Sequence, residues 1–181
     1  NKFKKVDCYI NCAGISKWSP INKITNKIWN EIINTNLLGT FWGCKAASLY
    51  LKKNTNIINI SSLAGKRGSK NNSVYCAAKF AVNGLTQSLS KELGDKDIRV
   101  NAICPVYILT DGLKKALKDK YSPTKGKNIN KFLKNFAFES SSLNRLPTAE
   151  DVSSLCFFLS SDSAKAITGQ CINIDCGVLP Q

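Results

Sequence analysis

The sequence predicts a three-layer αβα domain built on a doubly wound parallel sheet, and three observations lead to that prediction. Short apolar runs with strand character alternate with longer segments of helical period, which is the pattern of βαβ units. The chain has 181 residues, 43% of them hydrophobic and 21% charged, a composition typical of a globular domain. No internal repeat or low-complexity linker interrupts the alternation. We therefore expect one α/β domain with helices packed on the sheet.

Four strands are predicted, each a short apolar run. They cover residues 6–10, 56–61, 99–104 and 171–175. Helices of period 3.6 are predicted over residues 26–34, 38–52 and 75–93. A further helix begins near Thr148, where the sequence Thr-Ala-Glu-Asp supplies a capping hydroxyl and first-turn acids.

Composition excludes several classes of protein and of site. No apolar run reaches the roughly 20 residues of a membrane span, and residues 1–5 do not resemble a secretory signal. We therefore expect a cytoplasmic protein with no membrane partner. Histidine is absent, which excludes histidine-based acid–base catalysis and zinc sites of the Cys/His type, and we expect no metal. The eight cysteines form no CxxC pair and lie in apolar runs, as reduced buried thiols do.

The net charge of +14 raises the question of a nucleic-acid partner, but the kind of basic residue argues against one. The chain has 23 lysines and only three arginines, and nucleic-acid readers favour arginine interleaved with aromatic residues. Eight lysines and one acid, Asp119, fall within residues 114–134. Two interpretations of this stretch stay open: a solvated, mobile loop, or a landing site for an acidic substrate or partner.

The residues that suggest chemistry follow the second predicted strand. Ser62 precedes Tyr75 by thirteen residues, and Lys79 is four residues beyond Tyr75, so a helix places the last two on one face. A phenol has an unperturbed pKa near 10, and an adjacent ammonium group favours the phenolate and lowers that pKa. This pair therefore predicts an acid–base tyrosine.

A second pair with the same spacing, Tyr121 and Lys125, tests how specific the pattern is. Pro123 lies between them, and a regular helix cannot contain it at that position. We expect only the first pair to share a helix face.

The first pair is part of a series of motifs in which the whole chain resembles the short-chain dehydrogenase/reductase family. The turn from Asn11 to Gly14 resembles the family's Asn-Asn-Ala-Gly, and residues 34–40 resemble the segment that carries its catalytic asparagine. Residues 58–62 carry the serine, and residues 105–110 resemble the Pro-Gly-x-x-x-Thr loop that holds the nicotinamide. Residues 145–151 and 169–177 resemble the family's last helix and strand.

The resemblance implies a Rossmann-like fold, four catalytic residues and a nicotinamide cofactor, NAD or NADP. Ser62 would orient the substrate carbonyl, Tyr75 would exchange the hydroxyl proton, and Lys79 would lower the pKa of that tyrosine and bind the ribose. Asn36 would help to hold a water that links Lys79 to solvent. The implied cofactor-binding residues are Asn11, Ala13, Gly14, Tyr75, Lys79, Pro105, Ile108 and Thr110.

The chain departs from the family pattern at several positions. Cys12 replaces an asparagine, Cys176 replaces a glycine, and Val106 stands where the nicotinamide loop has a glycine that can reach positive φ. The glycine-rich turn that receives the pyrophosphate is absent, with the residue that selects NAD or NADP. We therefore expect residues 1–181 to be one domain lacking its N-terminal βαβαβ half, and the natural polypeptide to be longer. The first strand here would then have an open edge.

The overall resemblance is strongest to 3-oxoacyl-[acyl-carrier-protein] reductases, so a carbonyl substrate, small or carrier-bound and anionic, is expected. Polyol, sugar and hydroxysteroid dehydrogenases share the motifs and remain alternatives. A catalytically silent Rossmann-like binding protein is an alternative from another class, and a nucleic-acid-binding module is a remote one. The family usually forms tetramers by pairing the helices at about 38–52 and 75–93, so a homotetramer or a dimer is expected.

Overall fold

A computed structural model describes residues 5–180 of the chain, and its centre is a four-stranded parallel sheet. The strands are β1 (Cys8–Asn11), β2 (Thr55–Ile60), β3 (Ile98–Pro105) and β4 (Cys171–Ile174). They pair in chain order, β1-β2-β3-β4. The predicted α/β fold class is confirmed, and the strand bounds differ from the predictions by one or two residues. The prediction that residues 1–5 are not a secretory signal concerns residues that, except for residue 5, lie outside the described part of the chain.

Six α-helices accompany the sheet in the described chain. They are α1 (Asn26–Ile33), α2 (Gly39–Tyr50), α3 (Ser73–Glu92), α4 (Asp111–Leu117), α5 (Ile129–Ser140) and α6 (Ala149–Ser160). The predicted start of α6 is confirmed, because the Thr148 hydroxyl accepts a hydrogen bond from the Asp151 amide and the Asp151 carboxylate accepts one from the Thr148 amide. No helix within residues 5–180 has both the length and the hydropathy that a membrane span requires.

The break predicted between α1 and α2 is not a loop. A π-helical segment, Asn34–Leu38, joins the two helices, so residues 26–50 form one continuous helical rod. A π turn inside an α-helix carries one extra residue and often marks a functional position. Asn36 lies in this segment and is fully buried.

The two faces of the sheet are covered by different helices, which gives the predicted three layers. On one face, Ile57 of β2 and Val100 of β3 pack against Cys44 and Ala47 of α2. On the other face, the residues packed together come from β2, β3, α6 and the turn after it: Ile58, Ile103, Leu159 and Ala164. Helix α1 does not reach the sheet core and packs against α3.

The lysine-dense stretch is folded. Helices α4 and α5 frame it, and the side chains of Leu117 and Leu133 from these helices form a buried cluster with Trp18. The hydroxyl groups of Ser122 and Thr124 both donate hydrogen bonds to the Leu117 carbonyl, which closes the end of α4. We refer to residues 111–140 as the lid segment.

Strand β1 lies at one edge of the sheet and pairs only with β2 among the described strands. The side chains of Val6 and Ile10 are 52% and 45% exposed. The open apolar edge expected from the sequence is therefore present in the described part of the chain.

Candidate active site

The candidate site lies where the strands β1, β2 and β3 end. Asn11 is the last residue of β1, Ser62 follows β2 by two residues, and Pro105 is the last residue of β3. Parallel strands bring their carboxyl ends to one edge of the sheet, which is where α/β proteins bind ligands.

Asn11 is held from beneath by another asparagine. Its side-chain amide donates a 2.8 Å hydrogen bond to Oδ1 of Asn59 in β2, and Asn59 in turn donates to the Thr86 hydroxyl in α3. Gly43 in α2 leaves the room for this arrangement, because a Cβ there would lie 2.1 Å from Oδ1 of Asn11. Ala13 and Gly14 follow in an exposed turn above this network.

Asn36 fastens that turn to the π-helical segment. Its Oδ1 accepts a 3.1 Å hydrogen bond from the Ile15 amide, and its Nδ2 donates to the carbonyls of Ile15 and Ile32 at 2.9 Å. A Cβ on Gly14 would lie 3.0 Å from Oδ1 of Asn36 and 3.6 Å from Nζ of Lys79. The backbone of Gly14 therefore lies between the predicted asparagine and the predicted lysine.

Ser62 is brought to Tyr75 by a tight turn. The Ser62 hydroxyl accepts a hydrogen bond from the Ala64 amide at 3.1 Å and donates to the Pro105 carbonyl at 3.5 Å. It is also near enough to the Tyr75 phenol to favour the ionised form of that group and so to lower its pKa. Gly65 lets this turn pack on α3, because a Cβ there would lie 2.7 Å from the carbonyl oxygen of Lys79.

Lys79 is almost fully buried, with 3% of its surface exposed. Its Nζ donates a 2.8 Å hydrogen bond to the Ile60 carbonyl at the end of β2 and lies 5.7 Å from the centre of the Tyr75 ring. Burial lowers the pKa of Lys79 to about 8. An ammonium group can donate three hydrogen bonds, so this side chain retains capacity for a ligand.

The pKa of Tyr75 differs from the expectation. Burial raises it to about 12, and the hydrogen bond with Ser62 opposes that rise only in part. The sequence suggests a lowered pKa because it shows the neighbouring lysine but not the depth of the pair. Burial disfavours the charged form of both groups, so the lysine is a weaker cation and the phenol a weaker acid than their spacing implies.

The loop from Pro105 to Thr110 contacts Ser62 through its first residue. Pro105 contacts Ser62, whereas Ile108 is half-buried, and the exposed Thr110 caps α4 by accepting a hydrogen bond from the Leu113 amide. Val106 is not among the described residues with positive φ, so the loop here follows a path open to any side chain.

The second tyrosine–lysine pair is not helical, as predicted. The Tyr121 hydroxyl accepts a 2.9 Å hydrogen bond from Nζ of Lys23, and Lys125 has a φ of 53° in a turn. Tyr121 thus belongs to the contact between the lid segment and the residues after β1.

Comparison with known proteins explains why these residues converge. The model of the family described as enoyl-(acyl carrier protein) reductase matches residues 1–179. The chain is 35% identical to the 3-oxoacyl-[acyl-carrier-protein] reductase FabG of Chlamydia trachomatis over 179 residues, 98% of this chain and 67% of that protein. The chain belongs to the short-chain dehydrogenase/reductase family. As a member of this family, it is an oxidoreductase. It spans about two thirds of the length of the curated relatives that it matches.

Solved structures of the short-chain dehydrogenase/reductase family match the same fold. The ligand-free aldohexose dehydrogenase AldT of Thermoplasma acidophilum is 30% identical with a TM-score of 0.87, and the match covers 98% of this chain and 69% of that one. The sorbitol-6-phosphate 2-dehydrogenase SrlD of Erwinia amylovora is 30% identical with a TM-score of 0.89, over 99% of this chain and 71% of that one.

One family glycine is replaced at a demanding position. Cys176 has a φ of 56°, in the left-handed region that glycine adopts without strain, and Gly177 beside it has a φ of 84°. The Ser141 hydroxyl donates a 2.9 Å hydrogen bond to the Cys176 carbonyl and helps to hold this turn. The cysteine is accommodated, as expected, but in a conformation that costs stability.

Sequence reasoning missed three residues that build the site of this family member. Gly43 and Gly65 make room for Asn11 and for the Ser62 turn, and Trp18 lies beneath the lid segment. A lone glycine in a helix or turn has many explanations, and the position of Trp18 depends on contacts with residues about 100 positions away. Within residues 5–180, no group of three or more cysteine or acidic side chains is arranged to hold a metal ion.

Proposed function

We propose that the protein reduces a carbonyl group to a secondary alcohol with NAD(P)H, and that its substrate is a 3-oxoacyl thioester on an acidic carrier protein. The observation that carries the proposal is the contact of Tyr75 with Ser62 on one side and with Lys79 on the other. A phenol whose pKa is about 12 is protonated at neutral pH, so the proton that reduction requires is already present on Tyr75.

The roles of the three side chains follow from their positions. The Ser62 hydroxyl binds the substrate oxygen and places it against the Tyr75 phenol. NAD(P)H, when bound, would supply the hydride for the carbonyl carbon. Tyr75 gives its proton to the carbonyl oxygen, and the buried cation of Lys79 stabilises the phenolate that remains. The phenolate then recovers a proton from solvent, and the product is a neutral alcohol.

The residues around the turn after β1 fit a nicotinamide cofactor. The exposed Ala13 and the Cβ-free Gly14 let a flat ligand approach Lys79, and the donors left on that ammonium group suit ribose hydroxyls. Asn11 supports this turn from below through Asn59. On the opposite side we place Pro105, Ile108 and Thr110 along the nicotinamide. Either NAD or NADP fits this description.

The choice of substrate rests on relatives and on charge. Curated relatives at 32–35% identity are named 3-oxoacyl-[acyl-carrier-protein] reductase, in Chlamydia trachomatis and Thermotoga maritima among others. The lid segment packs against Tyr107, two residues after Pro105, and its dense positive charge suits a substrate on an acidic carrier. The second candidate is a sugar or polyol dehydrogenase, because the solved structures of high TM-score are named for aldohexose and sorbitol 6-phosphate.

We further propose a larger domain and an assembly. The open edge of β1 would be covered by the βαβαβ half that carries the glycine-rich turn. The exposed aromatic side chains Phe41 and Trp42 of α2 and Phe80 of α3 would pair two copies in a dimer or tetramer.

A substrate comparison tests the proposal. The full-length protein is assayed with NADPH and NADH on an acetoacetyl carrier-protein thioester, and with NAD and NADP on an aldohexose and on sorbitol 6-phosphate. We expect the highest kcat/KM on the thioester. A higher value on a sugar would replace the proposed substrate with the second candidate, and no turnover of any of the three would remove the proposed reaction.

A further inference from the structure

A series of buried hydrogen bonds runs from α3 through β2 to the end of β1. The Thr86 hydroxyl donates to the Val82 carbonyl at 2.8 Å and accepts a 3.0 Å hydrogen bond from Nδ2 of Asn59. Oδ1 of Asn59 accepts a 2.8 Å hydrogen bond from Nδ2 of Asn11. The side chains of Thr86 and Asn59 are fully buried. The series therefore lies in the interior, between the sheet and the helix that carries Lys79.

The threonine fixes the direction of each hydrogen bond in this series. Because the Thr86 hydroxyl gives its one proton to the Val82 carbonyl, it can only accept from Asn59. Nδ2 of Asn59 then points to α3, and its Oδ1 points to β1, where it faces the amide group of Asn11. A valine at position 86 has nearly the same shape but no oxygen, so Nδ2 of Asn59 would lose its acceptor.

The same face of the sheet is otherwise apolar. Ile57 and Val100 pack there against Cys44 and Ala47 of α2. A buried amide group is destabilising unless it is hydrogen-bonded, and apolar side chains avoid that cost. A fully hydrogen-bonded buried network, in return, makes the positions of its members more rigid. What the polar side chains add here, beyond packing, is a defined position for Asn11.

Asn11 begins the turn that follows β1, and a second asparagine holds the end of that turn. Asn36 accepts a hydrogen bond from the Ile15 amide and donates one to the Ile15 carbonyl. Among the hydrogen bonds of the described chain, none involves the backbone of residues 12–14. The turn is therefore held at its two ends by asparagine side chains, and Thr86 controls the orientation of one of them through Asn59.

Thr86 lies on the same face of α3 as the tyrosine and the lysine of the site. It is seven residues, close to two helical turns, beyond Lys79, which is four residues beyond Tyr75. The turn after β1 approaches this lysine at Gly14, where an added Cβ would lie 3.6 Å from Nζ. One face of α3 thus carries the phenol and the ammonium group and, through Asn59, supports the start of the turn beside them.

We propose that Thr86 is a positioning residue for the nicotinamide cofactor, acting through Asn59 and Asn11 on the turn after β1. The inference rests on the proposed function, because it assigns this turn to the cofactor. Thr86 is buried and would not itself contact the cofactor. Loss of its hydroxyl should therefore weaken cofactor binding and leave the chemical step at Tyr75 nearly unchanged.

The first test replaces Thr86 by valine in the full-length protein. The dissociation constants of NADH and NADPH are measured from cofactor fluorescence with no substrate present. For the cofactor that wild type binds more tightly, we expect the constant to rise about fivefold, the ratio that one neutral hydrogen bond corresponds to, with kcat within twofold of wild type. Thr86→Ser keeps the hydroxyl and should bind within twofold of wild type. An unchanged constant in Thr86→Val, or an equal rise in the serine variant, would overturn the proposal.

Thr55→Val is the matched control, at the amino end of β2. Thr55 is also buried, and its hydroxyl also donates to a backbone carbonyl, that of Lys52. Urea unfolding should show a lower free energy of unfolding for both valine variants, whereas only Thr86→Val should bind the cofactor more weakly. Equally weakened binding in both would assign the effect to lost stability and overturn the proposal. If Thr86→Val does not fold, Thr86→Ala replaces it with the same expectations.

A double substitution tests whether Thr86 acts through Asn11. Asn11→Ala should itself weaken binding, and adding Thr86→Val should change the dissociation constant no further, because the side chain that Thr86 positions is already absent. Effects that multiply would overturn the proposal. If wild type binds neither cofactor, the proposed function fails. If wild type binds one and Thr86→Val binds it equally well, only the role of Thr86 fails.

Discussion

Nζ of Lys79 lies 5.7 Å from the centre of the Tyr75 ring and donates its one described hydrogen bond to the Ile60 carbonyl. The lysine therefore reaches past the tyrosine to the end of β2, so a single buried cation connects the sheet to the helix that carries the phenol. Loss of solvent disfavours the charged form of both groups, Lys79 being buried and Tyr75 partly buried. The consequences of this relationship can be measured.

Replacing Tyr75 by phenylalanine removes the proton donor and keeps the ring. We expect turnover of the full-length enzyme to fall at least about a thousandfold, as it does when a positioned acid is lost. Steady-state assays of carbonyl reduction measure it. Tyr121→Phe is the matched control, since Tyr121 has a lysine at the same spacing but lies away from Ser62, and its turnover should be nearly normal. Near-normal turnover of Tyr75→Phe would contradict the assignment.

The lowered pKa of Lys79 makes a contribution to stability that depends on pH. Its pKa is 10.5 in the unfolded chain and about 8 in the folded one, so between these values the unfolded state binds more protons. Stability from this group therefore rises as pH increases from about 8 to about 10.5, by up to about 3 kcal/mol. In urea unfolding at pH 7, 8.5 and 10, the free energy of unfolding of wild type should rise relative to that of Lys79→Met. If the difference in free energy of unfolding between the two proteins is the same at all three pH values, burial does not lower the pKa of Lys79.

Gly65 should not tolerate even one additional carbon. In Gly65→Ala the new Cβ would meet the backbone carbonyl of Lys79 at 2.7 Å, and backbone cannot move aside cheaply. We expect a loss of about 1–3 kcal/mol in the free energy of unfolding, measured in urea, together with reduced activity from the displaced Ser62. Gly84→Ala is the control, because Gly84 lies within α3 with nothing within 4 Å of its added Cβ. That variant should be neutral or slightly stabilising.

The charge of the lid segment should affect substrate capture and not the chemical step. Replacing Lys118, Lys120, Lys125 and Lys127 by glutamine should lower kcat/KM for a carrier-bound substrate several-fold at low salt and leave kcat nearly unchanged. The effect should disappear at high salt, where screening shortens the range of the charges to a few ångströms.

The control for this experiment removes the same number of charges near the amino ends of β2 and β3, away from the candidate site. It replaces four lysines by glutamine: Lys52, Lys53, Lys91 and Lys96. These side chains are all exposed, and the variant should keep its kcat/KM. Losses that persist at high salt, or that are equal for a small neutral ketone, would assign the lysines to folding of the lid segment.

Assembly should depend on the aromatic surface of α2. Trp42 is 56% exposed and packs edge-to-face on Phe41, with the ring centres 5.1 Å apart. A glutamate at Trp42 should reduce the mass measured by light scattering, because a buried unpaired carboxylate destabilises an interface. Lys27→Glu is the control, because it changes the net charge more than the Trp42 substitution does, at an exposed position on α1. It should leave the mass unchanged. A wild-type monomer at all concentrations would remove the proposed assembly.

The sequence predicted the parts of the site that depend on local periodicity. Tyr75 and Lys79 share a helix face because they are four residues apart. Ser62 is close to them because it follows β2, the strand whose last residue accepts the hydrogen bond from Lys79. Helices α4 and α5 of the lid segment were not predicted, since their stability comes from packing on Trp18, which is distant in sequence. The rise in the pKa of Tyr75 could not be predicted from the sequence, because burial depends on the whole fold.

The π-helical segment at Asn34–Leu38 sets the rotational phase of the rod from residue 26 to residue 50. A π turn holds one more residue than an α turn, so deleting one residue here would restore a regular α-helix and leave α2 close to its present orientation relative to α1. Cys44 and Ala47 would then stay against the sheet, whereas Asn36 would lose the bulged position from which both its amide atoms bind the Ile15 backbone. A single codon lost from this stretch should therefore uncouple the loop after β1 and spare the packing of α2, whereas one lost within α2 should rotate the rest of that helix by about 100°.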